Sequence, residues 1–221
     1  MVSTVPEPQN LVTDDWMKAS WEEFLSLADN PAYEKARFYY DDGCMRIEMA
    51  AVGPIYGRDN SVVARVVSLF ATVRNIRIVE YANTSFRKAG VRECQPDISF
   101  YIGADCRLPP RTNSPVDVNQ YDLPTLVIEI ASTTLNDDLG RKRLLYERLG
   151  VKEYWVVNGN TGKAIAFEVF DGGSRQIQAS KVLPELQIAT LEEALKRSQT
   201  EDDGTINRWL LQTFSKAKEE Q

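Results

Sequence analysis

Three residues stand out for chemistry: Asp97, Glu129 and Lys142. Glu129 lies inside PTLVIEIASTTL (124–135), where Leu126, Val127, Ile128 and Ile130 form a nearly unbroken apolar run. Such a run predicts a strand covered on both faces, and an ionised carboxylate there is costly unless something compensates it. Asp97 follows a proline in QPDISF (95–100), at the start of a second predicted strand. Lys142 falls in a helix expected over 137–149. At about 100° per residue, Leu139, Leu145, Tyr146 and Leu149 lie within roughly 60° of it, so Lys142 centres the apolar stripe and faces the core. An inward lysine needs an anionic partner or a depressed pKa. Each residue also has a plainer reading: an edge-strand glutamate in solvent, a strand-entry aspartate, a lysine that snorkels to the surface. The three could also form a purely structural ion-pair network, though two buried carboxylates and an inward lysine on neighbouring elements favour a shared site.

Composition narrows the chemistry. The 221 residues contain no histidine, which excludes Ser-His-Asp and Cys-His nucleophile systems, histidine bases and the usual zinc sites. Acid-base or metal chemistry must then run on carboxylates, lysine, tyrosine and backbone oxygens, which favour a hard cation. Cys44, Cys94 and Cys106 are odd in number and lack CxxC spacing, so they read as thiols in a reducing compartment. The net charge of -6 counts against binding nucleic acid mainly by electrostatics. No run of about 18 apolar residues predicts a membrane span, and MVSTVPEPQNLVTDDW lacks the pattern of a signal peptide. The expected location is cytoplasmic.

These residues need positioning elements. Ser20-Trp21-Glu22-Glu23 matches a capping box opening a short helix. ARFYYDDGCMRIEM (36–49) predicts a hairpin around Asp-Asp-Gly. Val62, Val63, Val66, Val67, Phe70 and Val73 recur at helical spacing from about Asp59. Strands are expected over 77–81, 85–88 and 97–102, then a proline-rich loop over 104–123. After the Glu129 strand and the Lys142 helix, with Gly150 as C′ glycine, come three strands in KEYWVVN, AIAFEVF and SRQIQASKVL. Helices near 190–197 and 202–219 close the chain. The order predicts an α/β (α+β) fold with a mixed central β-sheet flanked by helices, and the step from 125–130 to 152–158 has the length of a parallel crossover.

YYDDGCMRIEM, QPDISFYIG and PTLVIEIASTTLNDDLGRKRLLYERLGVKEYWVVN together resemble the Uma-type endonucleases, within the PD-(D/E)xK, restriction-endonuclease-like superfamily. The resemblance covers roughly 35–180 and implies a lead-in over 1–19, a nuclease domain over 20–198 and a C-terminal helix over 199–221. It implies that Asp97 and Glu129 hold Mg2+ or Mn2+ with the backbone oxygen of Ile130, and that the substrate is DNA. It also implies a homodimer. The superfamily lysine, two residues after the second acid, is Ala131 here, and Lys142 matches the displaced lysine of the Uma type. On that reading Lys142 and the metal compensate Glu129. Many members carry a histidine near the start of the long helix, where this chain reads Gly57-Arg58-Asp59-Asn60. That departure keeps a second reading open, an inactive nucleic-acid-binding or protein-interaction module.

Two further residues are candidates. Glu48 is an additional acid if it turns inward, though an exposed hairpin glutamate is the favoured reading. Arg58, with Arg87, Lys88 and Arg92, either lines a phosphate path or is a scatter of solvated charges. Trp155 is expected in the core.

Overall fold

The computed structural model describes residues 13–49 and 53–219; most of the expected lead-in, residues 1–12, lies outside the described residues. Strand β1 (Trp16–Lys18) precedes helix α1 (Trp21–Ala28), whose Ser20 and Glu23 form the expected reciprocal cap. Strands β2 (Arg37–Asp41) and β3 (Cys44–Glu48) make the hairpin. Its turn places Asp42 and Gly43 at φ of 44° and 84°, the positive-φ pair that suits a two-residue hairpin loop. Helix α2 (Pro54–Val73) begins ahead of the expected Asp59, because Pro54 at its first position is preorganised for the helix.

Next come β4 (Ile78–Ala82), β5 (Phe86–Lys88), β6 (Arg92–Cys94) and β7 (Ile98–Ile102). β6 is an addition to the expected set. The loop over 104–123 carries the two-residue β8 (Val116–Asp117), paired with β5. The chain continues through β9 (Leu126–Ala131), α3 (Leu135–Leu139), α4 (Arg141–Leu149), β10 (Glu153–Asn158), β11 (Lys163–Phe170) and β12 (Gly173–Ile177). Helices α5 (Ile188–Arg197) and α6 (Asp203–Glu219) follow. The single helix expected over 137–149 is two, broken at Gly140, where an added Cβ would lie 2.7 Å from the carbonyl oxygen of Asn136. Gly150 ends α4 at φ 92°, as a left-handed C-terminal glycine should.

The strands form two mixed sheets, ordered β1-β3-β2-β6-β5-β8 and β12-β11-β10-β9-β7-β4. β9 and β10 are parallel and joined by α3 and α4, which is the expected crossover. Alternation along β9 divides the core. Leu126, Ile128 and Ile130 pack with Val62, Val66 and Phe70 of α2 and with Ile206, Leu210 and Phe214 of α6. Val127 and Ala131 face the other way, among Tyr39, Leu145, Tyr146 and Tyr154. The hairpin divides similarly: Phe38, Tyr40, Met45 and Ile47 pack with Phe24 of α1, while Tyr39 points into the layer beneath β9. Trp155 is fully buried, as expected. Each fully buried Val, Leu, Ile or Phe contributes about 1.5–3 kcal/mol, and this burial on both sides holds the charged residues between the sheets in place. Among the described residues no helix is long and apolar enough to cross a membrane.

Candidate active site

Asp97 and Glu129 meet because β7 and β9 are antiparallel neighbours. The register Ile98↔Ile128 sets Asp97 opposite Glu129 one step further along. Since Ile98, Ile128 and Ile130 face α2, alternation turns both acids to the opposite side. Each is 2% exposed. The Ile130 N–H donates to Asp97 Oδ2 at 2.6 Å, and the Asp97 N–H reaches Glu129 Oε2 at 3.4 Å. Glu129 Oε1 accepts from the hydroxyls of Tyr146 at 2.7 Å and Tyr39 at 3.4 Å. Asp97 Oδ1 accepts from Arg37 Nη1 and, at 2.6 Å, from the Tyr56 hydroxyl.

Lys142 is buried, as the helical wheel requires. Its ammonium pairs with Glu48 at 2.7 Å and Asp138 at 2.9 Å, and sits 4.2 Å from the Tyr39 ring centroid. Lys142 acts on Glu129 through its field rather than by a direct ion pair, while tyrosine hydroxyls make the contacts. Glu48 also departs from its favoured reading. It is 4% exposed, because α1 covers one face of the hairpin and Asp138 and Lys142 close the other. Arg46 Nε donates to Glu48 at 2.7 Å and lies 3.3 Å from Asp137, which in turn accepts from the Trp16 indole at 2.7 Å. Arg58 is elsewhere, paired with Asp203. Arg87 pairs with Asp29 and Glu93, and Arg92 with Asp41, so these cations do not converge on a single track.

Residues 21–215 match the Uma2 family, whose description reads "Putative restriction endonuclease". The chain belongs to the Uma2 family. It is similar to a solved structure from Anabaena variabilis ATCC 29413, described as "a putative nuclease belonging to DUF820". The two share 19% identity over 80% of this chain and 99% of that one, with a TM-score of 0.54. At that identity the likeness bears on the fold, which is restriction-endonuclease-like: mixed sheets flanked by helices. No curated protein matches the chain.

The electrostatics of this Uma2 member bear on the divalent metal that its fold family implies. Burial drives the Glu129 pKa well above the ordinary carboxylate range; the Lys142 field opposes this, and the charges of Asp97 and Asp138 reinforce it. Burial would lower the Lys142 pKa, yet Glu129, Asp138 and Glu48 outweigh it and keep the ammonium charged. Burial would likewise raise Glu48, but Lys142 and Arg46 hold it below the usual range. In the connected buried cluster, Asp97, Glu129, Glu48, Asp137 and Asp138 face Arg37, Arg46 and Lys142. Counted as ionised, five carboxylates against three cations would leave two negative charges in excess, a repulsion that adds to burial in raising Glu129 and Asp138. Among the described residues no cation lies within ion-pair distance of Glu129. Oxygen donors on two adjacent strands with that charge excess fit a hard divalent cation. Among the described residues no three acidic or thiol side chains form a ready-made metal cluster, so the two acids need a backbone oxygen and water to complete a shell.

The sequence reading missed Arg37, Tyr39, Tyr56 and Asp138, and placed Tyr146 only in the apolar stripe of its helix. Asp138 was within reach of sequence reasoning, since it stands four residues before Lys142, on one face of the single helix expected over 137–149. Arg37 and Tyr56 arrive from 60 and 41 positions away from Asp97, which no local pattern encodes.

Proposed function

We propose that this Uma2 member is a metal-dependent endonuclease that hydrolyses phosphodiester bonds in DNA, with Mg2+ or Mn2+ held by Asp97, Glu129 and the backbone oxygen of Ile130. The observation that carries this reading is the facing pair of buried carboxylates, Asp97 at the entry to β7 and Glu129 within β9, with no cation among the described residues in ion-pair reach of Glu129. When bound, a divalent cation supplies Lewis-acid activation of a water and stabilises charge on the phosphodiester.

The chain's own residues prepare for that chemistry. The Ile130 N–H fixes the Asp97 carboxylate and the Tyr146 hydroxyl fixes Glu129, so neither acid must reorganise to accept a ligand. Lys142 places a permanent positive charge behind Glu129, where it lowers the cost of keeping that acid ionised and favours negative charge developing at the site. Glu48 and Asp138 hold the ammonium in that position.

The test joins two assays. Calorimetry should show manganese binding to wild type and its loss in Asp97→Asn. Cleavage of a duplex oligonucleotide should fall at least about a hundredfold in Asp97→Ala and Glu129→Ala. Turnover that survives either alanine variant overturns the proposal. The Arg37 ion pair, which already neutralises Asp97, favours the second reading of an inactive nucleic-acid-binding module. That reading expects DNA binding without metal-dependent turnover.

A further inference from the structure

We propose that Arg37 is the phosphate-positioning residue of this site, parked on Asp97 as a resident counter-charge until a cation takes its place. This rests on the nuclease reading above. Arg37 opens β2 and pairs in register with Glu48, so its side chain projects to the face that carries the acids. It is the outermost cation of the cluster: its side chain is 13% exposed, against 6% for Arg46 and 2% for Lys142. Its guanidinium donates to Asp97 Oδ1, to the Tyr56 hydroxyl at 2.5 Å and to Asn83 Oδ1 at 2.7 Å, and stacks 5.4 Å from the Tyr56 ring centroid.

The decisive feature is the oxygen it occupies. A carboxylate oxygen offers two lone pairs, and Arg37 and Tyr56 take both on Asp97 Oδ1. A cation bound through Oδ1 must therefore displace one of the two donors, and like-charge repulsion selects Arg37 over the neutral Tyr56 hydroxyl. The displaced side chain keeps its partner Asn83, which lines a polar cleft of about 590 Å³ with Gln95, with Arg87 and with the acids Asp29, Glu34 and Glu93. A guanidinium is a planar fork that matches two oxygens of a phosphate. Arg37 thus exchanges one anion for another, the Asp97 carboxylate for a phosphodiester, and remains neutralised throughout.

The experiment measures manganese affinity by calorimetry and the kinetics of duplex-oligonucleotide cleavage for the full chain, in wild type, Arg37→Met and Arg37→Lys, with a melting curve for each. Arg37→Met should bind manganese about tenfold more tightly, because a competing charge a few ångströms away is gone. Its KM for the duplex should rise about tenfold or more, with kcat changing less. Arg37→Lys retains the charge without the fork, so manganese affinity stays near wild type while KM still rises. Tighter metal with weaker substrate is a combination that a residue of merely structural importance cannot produce. Unchanged or weaker manganese binding in a folded Arg37→Met overturns this inference and leaves the nuclease reading standing, provided Asp97→Asn abolishes binding. Absence of manganese binding in wild type and both Arg37 variants overturns both. If Arg37→Met does not fold, a wild-type KM in Arg37→Lys overturns the inference.

Discussion

Glu129 shows how far a single buried charge can be left to hydroxyl groups. Its carboxylate is supported by Tyr146 and Tyr39 rather than by a directly paired cation, so burial raises its pKa, with Asp97 and Asp138 adding to the effect and Lys142 opposing it. The sign of the consequence follows from linkage. A carboxyl whose folded pKa exceeds its unfolded value of about 4.3 stabilises the fold fully below that value and loses the contribution as pH rises through the folded pKa. Metal-free Glu129→Gln should therefore be more stable than wild type at pH 8, by about 1.4 kcal/mol for each unit by which the wild-type pKa is raised. The gap should shrink towards pH 4. Denaturant unfolding of both proteins with chelator present measures it, and a gap that does not change with pH would mean that Glu129 is ionised at no cost in the folded chain. Tyr146→Phe probes the same carboxylate from its partner. Losing the 2.7 Å bond leaves Oε1 to the longer contact with Tyr39, and stability should drop by about 1–3 kcal/mol. A loss below a few tenths of a kcal/mol, by the same unfolding assay, would show that the hydroxyl is dispensable.

At the scale of elements, the break between α3 and α4 sets where Lys142 points. Gly140 ends one helix and starts the other, and a methyl group there would press against the Asn136 carbonyl. Gly140→Ala should cost about 1–3 kcal/mol through this overpacking, and should weaken manganese binding as α4 and its lysine shift. A variant that melts like wild type and binds metal as well would show that the break is not sterically required. The break escaped the sequence reading because the apolar stripe of Leu139, Lys142, Leu145 and Tyr146 runs smoothly through it. The burial of Asp97, Glu129 and Lys142, in contrast, was legible from local signals: a proline at a strand entry, an unbroken apolar run, and the 3.6 period of a helix. Glu48 was misread for a physical reason of its own. Alternation tells which side chains share a face, but whether the second face meets water depends on layers from distant sequence, here α1 on one side and α3–α4 on the other. β6 was missed because a three-residue strand carries too few alternations to declare itself.

For the molecule as a whole, the net charge of -6 constrains how it meets a polyanion. Its arginines are largely committed to acids: Arg58 and Arg65 share Asp203, Arg74 pairs with Glu185, Arg87 with Asp29 and Glu93, and Arg92 with Asp41. A protein that contacts Z phosphates on duplex DNA releases counterions, so log K falls against log salt with a slope of about −0.9Z. With a net charge of -6 and those arginines engaged by acids, a single copy of the chain should engage two or three phosphates, giving a slope of about −2 to −3 and weak binding in chelator. Adding manganese should tighten binding, because positive charge is then supplied at the two-acid site rather than by the surface. Fluorescence anisotropy of a labelled duplex between about 50 and 200 mM salt, with and without manganese, reads both quantities. A slope steeper than about −6 in chelator would mean that many surface cations contact the duplex, and would shift the account from a cation-centred site to a composite interface. A shallow slope that manganese leaves unchanged, with binding equally weak in both conditions, would instead separate DNA contact from Asp97 and Glu129. The buried charge excess would then be a feature of the fold alone.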